Sequence, residues 1–152
     1  MFFIRKIKHL LCAAVLFGIS LTQQVGAVEY KYSAKEVKCI QNMVYYEARG
    51  ESDQGVIATI HVVLNRIKDS RFPSKPCSVI QQVNQFSFVG KEYPITEISR
   101  YVELRHLVRD VLRGKYPDNT NKSIFFNSTG KAPSNGAKCE EKIGKHYFFS
   151  KK

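Results

Sequence analysis

Residues 33–66 read SAKEVKCIQNMVYYEARGESDQGVIATIHVVLNR, and the fold turns on them. Ser33-Ala34-Lys35-Glu36 has the S-x-x-E form of a capping box. The serine hydroxyl takes the N–H of the glutamate and the glutamate reaches back to the N–H of the serine, so a helix starts at Ser33. Val37, Ile40, Val44 and Ala48 follow at intervals of three and four, which buries one stripe. Gly50 is the kind of residue on which such a helix ends. A second helix begins at Ser52 or Asp53. Its run from Val56 to Leu64 is apolar nearly all round, as in a central buried element, and Asn65-Arg66 closes it.

Downstream, Asp69 to Pro76 is a loop, because its two prolines forbid regular structure. A short turn of helix covers Cys77 to Gln82. The next helix runs from about Thr96 to Arg113 on the apolar positions Ile98, Tyr101, Val102, Leu104, Leu107, Val108, Val111 and Leu112, and stops at Gly114. Ile124-Phe125-Phe126 and Tyr147-Phe148-Phe149 read as two short strands, with the Gly- and Pro-containing stretch between them as a long hairpin loop. The expected class is α+β, a mainly helical domain with a small β-hairpin.

Upstream, Arg5, Lys6 and Lys8 precede the apolar run Leu10 to Leu21, and Val25-Gly26-Ala27 makes a small-residue cleavage site. Residues 1–27 therefore read as a secretory signal peptide, and 28–152 as one domain. The apolar run is well short of the roughly 20 residues a membrane-spanning helix needs. The expected product is exported to the periplasm or cell envelope, with membrane contact only in transit. Removing the signal takes three positive charges and no negative ones from a net charge of +11. Cys39, Cys77 and Cys139 remain in an oxidising compartment, where one bridge can form and one thiol is left over. The preferred pair is Cys39 with Cys77, which closes a loop worth on the order of 4 kcal/mol in the chain-entropy model. The competing reading is three free thiols.

Chemistry concentrates in Tyr45-Tyr46-Glu47-Ala48-Arg49-Gly50-Glu51. Glu47 lies about 20° from Ile40 around the first helix, on the rim of the buried stripe. Partial burial disfavours the charged carboxylate, which suits a general acid near neutral pH. The plainer alternative is an ion pair with Arg49 or Arg66. Glu51 is either a second catalytic or substrate-binding carboxylate one turn on, or an ordinary first-turn acid of the second helix.

Cys39 to Arg66, then Arg71-Phe72-Pro73, Gln85-Phe86-Ser87 and Ile143-Gly144-Lys145-His146, together resemble the SleB/CwlJ-type cell wall hydrolases. That family includes the spore-cortex-lytic enzymes and relatives in Gram-negative bacteria and phages. The resemblance spans about Glu36 to the C-terminus. It implies a lysozyme-like fold and a peptidoglycan substrate, with Glu47, the first glutamate of E-A-R-G-E, as the catalytic acid of a lytic transglycosylase. Such an enzyme needs one carboxyl group, because the muramic acid 6-hydroxyl of the substrate is the nucleophile. A hydrolytic glycosidase commonly uses two. The chain departs from many members in having no tryptophan; Phe88 stands at the first place where they carry one.

Gln85, Phe86 and Ser87 match the Q-F-S segment and either contact sugar hydroxyls and acetamido groups or pin a turn. His146 lines the cleft or serves the strand. Tyr45, Tyr46 and Phe126 are sugar-stacking candidates, each equally suited to a core. Asn65 reads as a helix cap. His61, His106 and His146 show no metal-ligand spacing, so neither metal nor cofactor is expected. Two other functions compete: a zinc-dependent muramoyl-alanine amidase, and a non-catalytic basic module held on anionic envelope polymers. Export argues against nucleic acid as a partner. A monomer is expected. An uncleaved, membrane-tethered form is the alternative at the N-terminus, with Cys12 then available for exchange.

Overall fold

In the computed structural model, residues 31–91, 93–134 and 136–151 are described. The signal peptide read over 1–27 and the exchange assigned to Cys12 lie outside them. Helix α1 spans Ala34–Ala48 behind a complete capping box at Ser33, whose backbone N–H donates to Glu36 over 2.8 Å. Val37, Ile40, Val44 and Ala48 are all buried, as the spacing requires. Helix α2 spans Asp53–Lys68 with Ser52 as its N-cap and is buried along most of its length. It continues past Asn65-Arg66, the expected stop. Both side chains turn inward and find partners on the segment before the sheet, so nothing ends the helix there.

Helix α3, Pro76–Ile80, starts one residue before the expected turn, with Pro76 in its first turn where the missing N–H costs nothing. The Cys39–Cys77 bridge ties it to α1, with the two Cα atoms 5.4 Å apart, and leaves Cys139 free and exposed. Helix α4, Ile98–Leu112, packs on α1. Its N-cap, Glu97, makes no side-chain cap. That work falls to Tyr45 of α1, whose hydroxyl accepts the backbone N–H groups of Thr96 and Glu97 at 3.1 Å each. Tyr45 is a core residue, 1% exposed, and not a sugar-stacking surface.

The sheet corrects the hairpin. Strands β1 (Phe125–Asn127) and β3 (His146–Ser150) pair antiparallel, with Phe126 opposite Phe148. A third strand, β2 (Lys138–Ile143), forms on the other side of β3, giving the order β1-β3-β2. The true hairpin is β2–β3, closed by Gly144 and Lys145. Lys-Cys-Glu-Glu-Lys-Ile escapes a search for apolar alternation because its residues are exposed or half-buried. Phe148 seats the sheet against Ala58 and Val62 of α2 in a second small core.

Candidate active site

The C-terminal end of α1, the inner face of α2, the loop 81–91 and strands β1 and β3 enclose a cleft of about 760 Å³. That is room for a small ligand or part of a polymer. Glu47, Gln85, Phe86, Ser87, Phe126 and His146, six of the expected site residues, line it together. Glu47 is the one carboxylate among them. Its Oε1 is buried and has no hydrogen-bond partner in the protein. Burial pushes its pKa above the ordinary glutamate value, and the Ser87 backbone only partly offsets this. Neither expected ion pair forms: Arg49 binds Glu97 at 2.7 Å, and Arg66 turns elsewhere.

The Q-F-S segment divides by alternation. Phe86 is buried, 6% exposed, and anchors the loop in the main core, while Gln85 and Ser87 face solvent at the cleft edge. Just before them, Asn84 takes a left-handed backbone, a conformation that asparagine tolerates better than most residues. His146 opens β3 and forms the facing wall, its ring edge-on to Phe126 at 5.1 Å. Its Nδ1 is buried without a protein partner, and burial holds its pKa below the usual histidine value, against the pull of Glu51.

Tyr46 and Glu51 stand apart from the cleft. Tyr46 donates its hydroxyl to the Tyr93 carbonyl at 2.7 Å and stacks on Phe88 at 5.0 Å. The two rings line an adjoining groove with Arg49, Tyr93, Pro94 and Thr96, which meets the cleft at Ser87. Glu51 instead accepts the Lys145 backbone N–H at 3.0 Å, holding the β2–β3 turn on the start of α2. A Cβ on Gly144 would collide with its Oε2, and Gly55 leaves room for the same side chain. The second glutamate of E-A-R-G-E thus acts on the hairpin that carries His146.

Arg66, expected as a helix end or as an ion-pair partner of Glu47, takes a place the sequence reading did not foresee. It is 4% exposed, donates Nε–H to the Ile124 carbonyl at 2.7 Å and lies over the rings of Phe72, Phe86 and Phe125. Burial lowers its pKa to about 10, and its Nη1 has no protein partner. An arginine interrupting an otherwise buried apolar helix was the available signal, since charge is rarely buried without a partner. Asn65, expected to cap the helix, instead lies within it and holds the loop that follows. Its side-chain amide donates to Asp118, Thr120 and the Ser123 carbonyl. Among the described residues no three His, Cys, Asp or Glu side chains converge as a metal site would need.

Comparison with known proteins gives a single answer. A family described as Cell Wall Hydrolase matches residues 50–149, beginning three residues after Glu47. The spore cortex-lytic enzyme of Bacillus cereus is 30% identical over 122 residues, covering 77% of this chain and 45% of that protein. The spore cortex-lytic enzyme of Oceanobacillus iheyensis is 30% identical over 118 residues, 77% of this chain and 42% of that one. The chain thus spans less than half the length of these relatives. In three dimensions it is similar to the catalytic domain of germination-specific lytic transglycosylase SleB from Bacillus anthracis. The TM-score is 0.66 at 29% identity, over 81% of this chain and all of that domain. The catalytic domain of the Bacillus cereus SleB protein aligns at TM-score 0.65 and 29% identity, over 81% of this chain and 95% of that one.

Proposed function

The chain belongs to the cell wall hydrolase family, and on that premise we propose that it cuts the glycan strand of peptidoglycan as a lytic transglycosylase, with Glu47 as its acid and base. The carrying observation is the Glu47 carboxyl: among the described residues it is the one carboxylate lining the cleft, with an oxygen that is buried and free of protein partners. A carboxyl whose pKa is raised by burial is suited to deliver a proton to the glycosidic oxygen between N-acetylmuramic acid and N-acetylglucosamine. The resulting carboxylate then takes the proton of the muramic acid 6-hydroxyl as that oxygen attacks the anomeric carbon. A 1,6-anhydro ring forms and no water enters. Holding the hydroxyl beside the carbon makes the step intramolecular, a large share of the rate.

Gln85 and Ser87 on one side and His146 on the other supply polar contacts to the sugars. The Tyr46–Phe88 stack extends the binding path toward the groove that joins at Ser87. Glu51 positions the hairpin behind His146. The enzyme acts as a monomer in the periplasm or cell envelope, after export on residues 1–27.

Digestion of purified peptidoglycan followed by mass spectrometry of the soluble products tests the reading. 1,6-Anhydro-muropeptides are expected. Reducing-end muramic acid would make it a hydrolytic muramidase, free stem peptides an amidase, and no release a binding module. A Glu47→Gln variant that keeps full activity would remove Glu47 from the mechanism.

A further inference from the structure

A second groove, of about 610 Å³, runs between the start of α1 and the outer face of α4. Lys38 lines it from α1, and Arg105 and Arg109 from α4. Lys38 and Glu47 are nine residues apart on one helix, about 180° around it, so this groove faces away from the cleft. Its two arginines are unusual in this molecule. Among the described arginines, Arg49, Arg71, Arg100 and Arg113 have carboxylate partners, and Arg66 is buried. Arg105 and Arg109 are neither, although they sit one turn apart as like charges, which disfavours a helix.

The carboxylates of the same two helices are engaged elsewhere. Glu36 caps α1, Glu47 faces the cleft, Glu103 binds Arg100, and Asp110 binds Lys115. The apolar part of the groove is equally open. Val102 is 47% exposed, Ile98 on the same face is 62% exposed, and Val37 and Tyr101 lie beneath. Ile98, Val102, Arg105 and Arg109 make one strip about 16 Å long, apolar at one end and cationic at the other.

From this strip we infer that the α1–α4 face docks on a bilayer containing anionic phospholipids. Lys38, Arg105 and Arg109 take headgroup phosphates, and Ile98 and Val102 enter the acyl boundary. Interfacial amphipathic helices bind in this arrangement, with cations at the headgroups and apolar side chains at the acyl boundary, without spanning. A soluble polyanion would satisfy the cations but leave the two aliphatic side chains in water. The opposite face, with Glu47, is then free for the wall. Each cation near an anionic surface is worth roughly fivefold in partitioning. The inference does not depend on which bond the cleft breaks.

Lysine acetylation of the full chain, read residue by residue by mass spectrometry, tests it. Phosphatidylglycerol vesicles should slow acetylation of Lys38 about fivefold relative to Lys131 in the same molecule, and pure phosphatidylcholine vesicles should not. An Arg105→Gln/Arg109→Gln variant should return Lys38 to its free rate at the same lipid concentration while releasing muropeptides as before. Equal slowing at both lysines, slowing by phosphatidylcholine alone, or slowing that survives the double substitution would overturn the inference. So would the same protection from soluble glycerol phosphate, which would make the groove an anion pocket with no membrane role.

Discussion

Two polar clusters pack against α2 and differ in how completely they are satisfied. Toward one flank, Asn65 donates to three acceptors, and Asp118 receives Asn65 together with the hydroxyl and backbone N–H of Thr120 and the N–H of Lys122. These bonds hold two consecutive left-handed residues, Asn121 and Lys122, in place. Hydrogen bonds from Thr120 and Asn65 keep Asp118 below the ordinary aspartate value even though burial pushes it up. On the cleft side, Glu47 Oε1, Arg66 Nη1 and His146 Nδ1 are buried with no protein partner. Native proteins rarely leave such groups unpaired. The first cluster is organised to hold a loop on a helix. The second leaves donors and acceptors unpaired beside the cleft, at a cost in stability, as the proposed sugar-binding role requires.

The largest expected effect is at Glu47. Replacement by Gln should lower the rate of peptidoglycan solubilisation by at least about a thousandfold, equivalent to about 4 kcal/mol of barrier. The same change should raise the melting temperature at pH 7. A carboxyl whose folded pKa is raised favours the folded state below its unfolded pKa, and that contribution is lost as pH rises through the folded value. The Gln variant should therefore gain most at neutral pH and lose its advantage in acid, below the ordinary glutamate value of 4.5. For the wild type, the activity profile should show a basic limb above that value.

Asn65→Ala attacks the satisfied cluster. Leaving Asp118 and its neighbours short of a donor should cost about 2–3 kcal/mol and lower the melting temperature by roughly 5–10 °C. Turnover per folded molecule should stay unchanged. A loss of kcat without a loss of stability would dissolve the contrast between the clusters.

His146→Phe keeps a ring against Phe126 and Phe148 while removing both nitrogens. Calorimetry should find stability within about 1 kcal/mol of wild type, with a clear fall in kcat/KM. Glu51→Gln is the mildest change, preserving length and one acceptor for the Lys145 N–H. It should cost about 1 kcal/mol or less and leave Glu47 working.

The helices were legible because their signals are local. The capping box at Ser33, the three-and-four spacing of Val37 to Ala48 and the apolar run from Val56 are properties of neighbouring residues. Glu47 was legible as a carboxylate at the edge of a buried stripe within a recognisable motif. What was missed depends on distant chain. Strand β2 is polar and owes its conformation to the ladder with β3. Helix α2 runs on to Lys68 because residues 118–124 receive the side chains of Asn65 and Arg66. Tyr45 has the composition of a sugar platform, but Thr96 and Glu97, about fifty residues later, draw it into the core. Glu51 has its explanation only once Gly55 and Gly144 are seen around it.

The strand order has a temporal consequence. The centre of the sheet is β3, the last of the three strands to leave the ribosome. Until it arrives, β1 and β2 have nothing to pair with, and the wall bearing His146 does not exist. The four helices of the described residues precede β3 in the chain, with Glu47 on the first of them, yet the facing wall forms only when β3 pairs between β1 and β2. Until β3 is made the cleft is therefore half-built, with Glu47 in place and the wall facing it still to come.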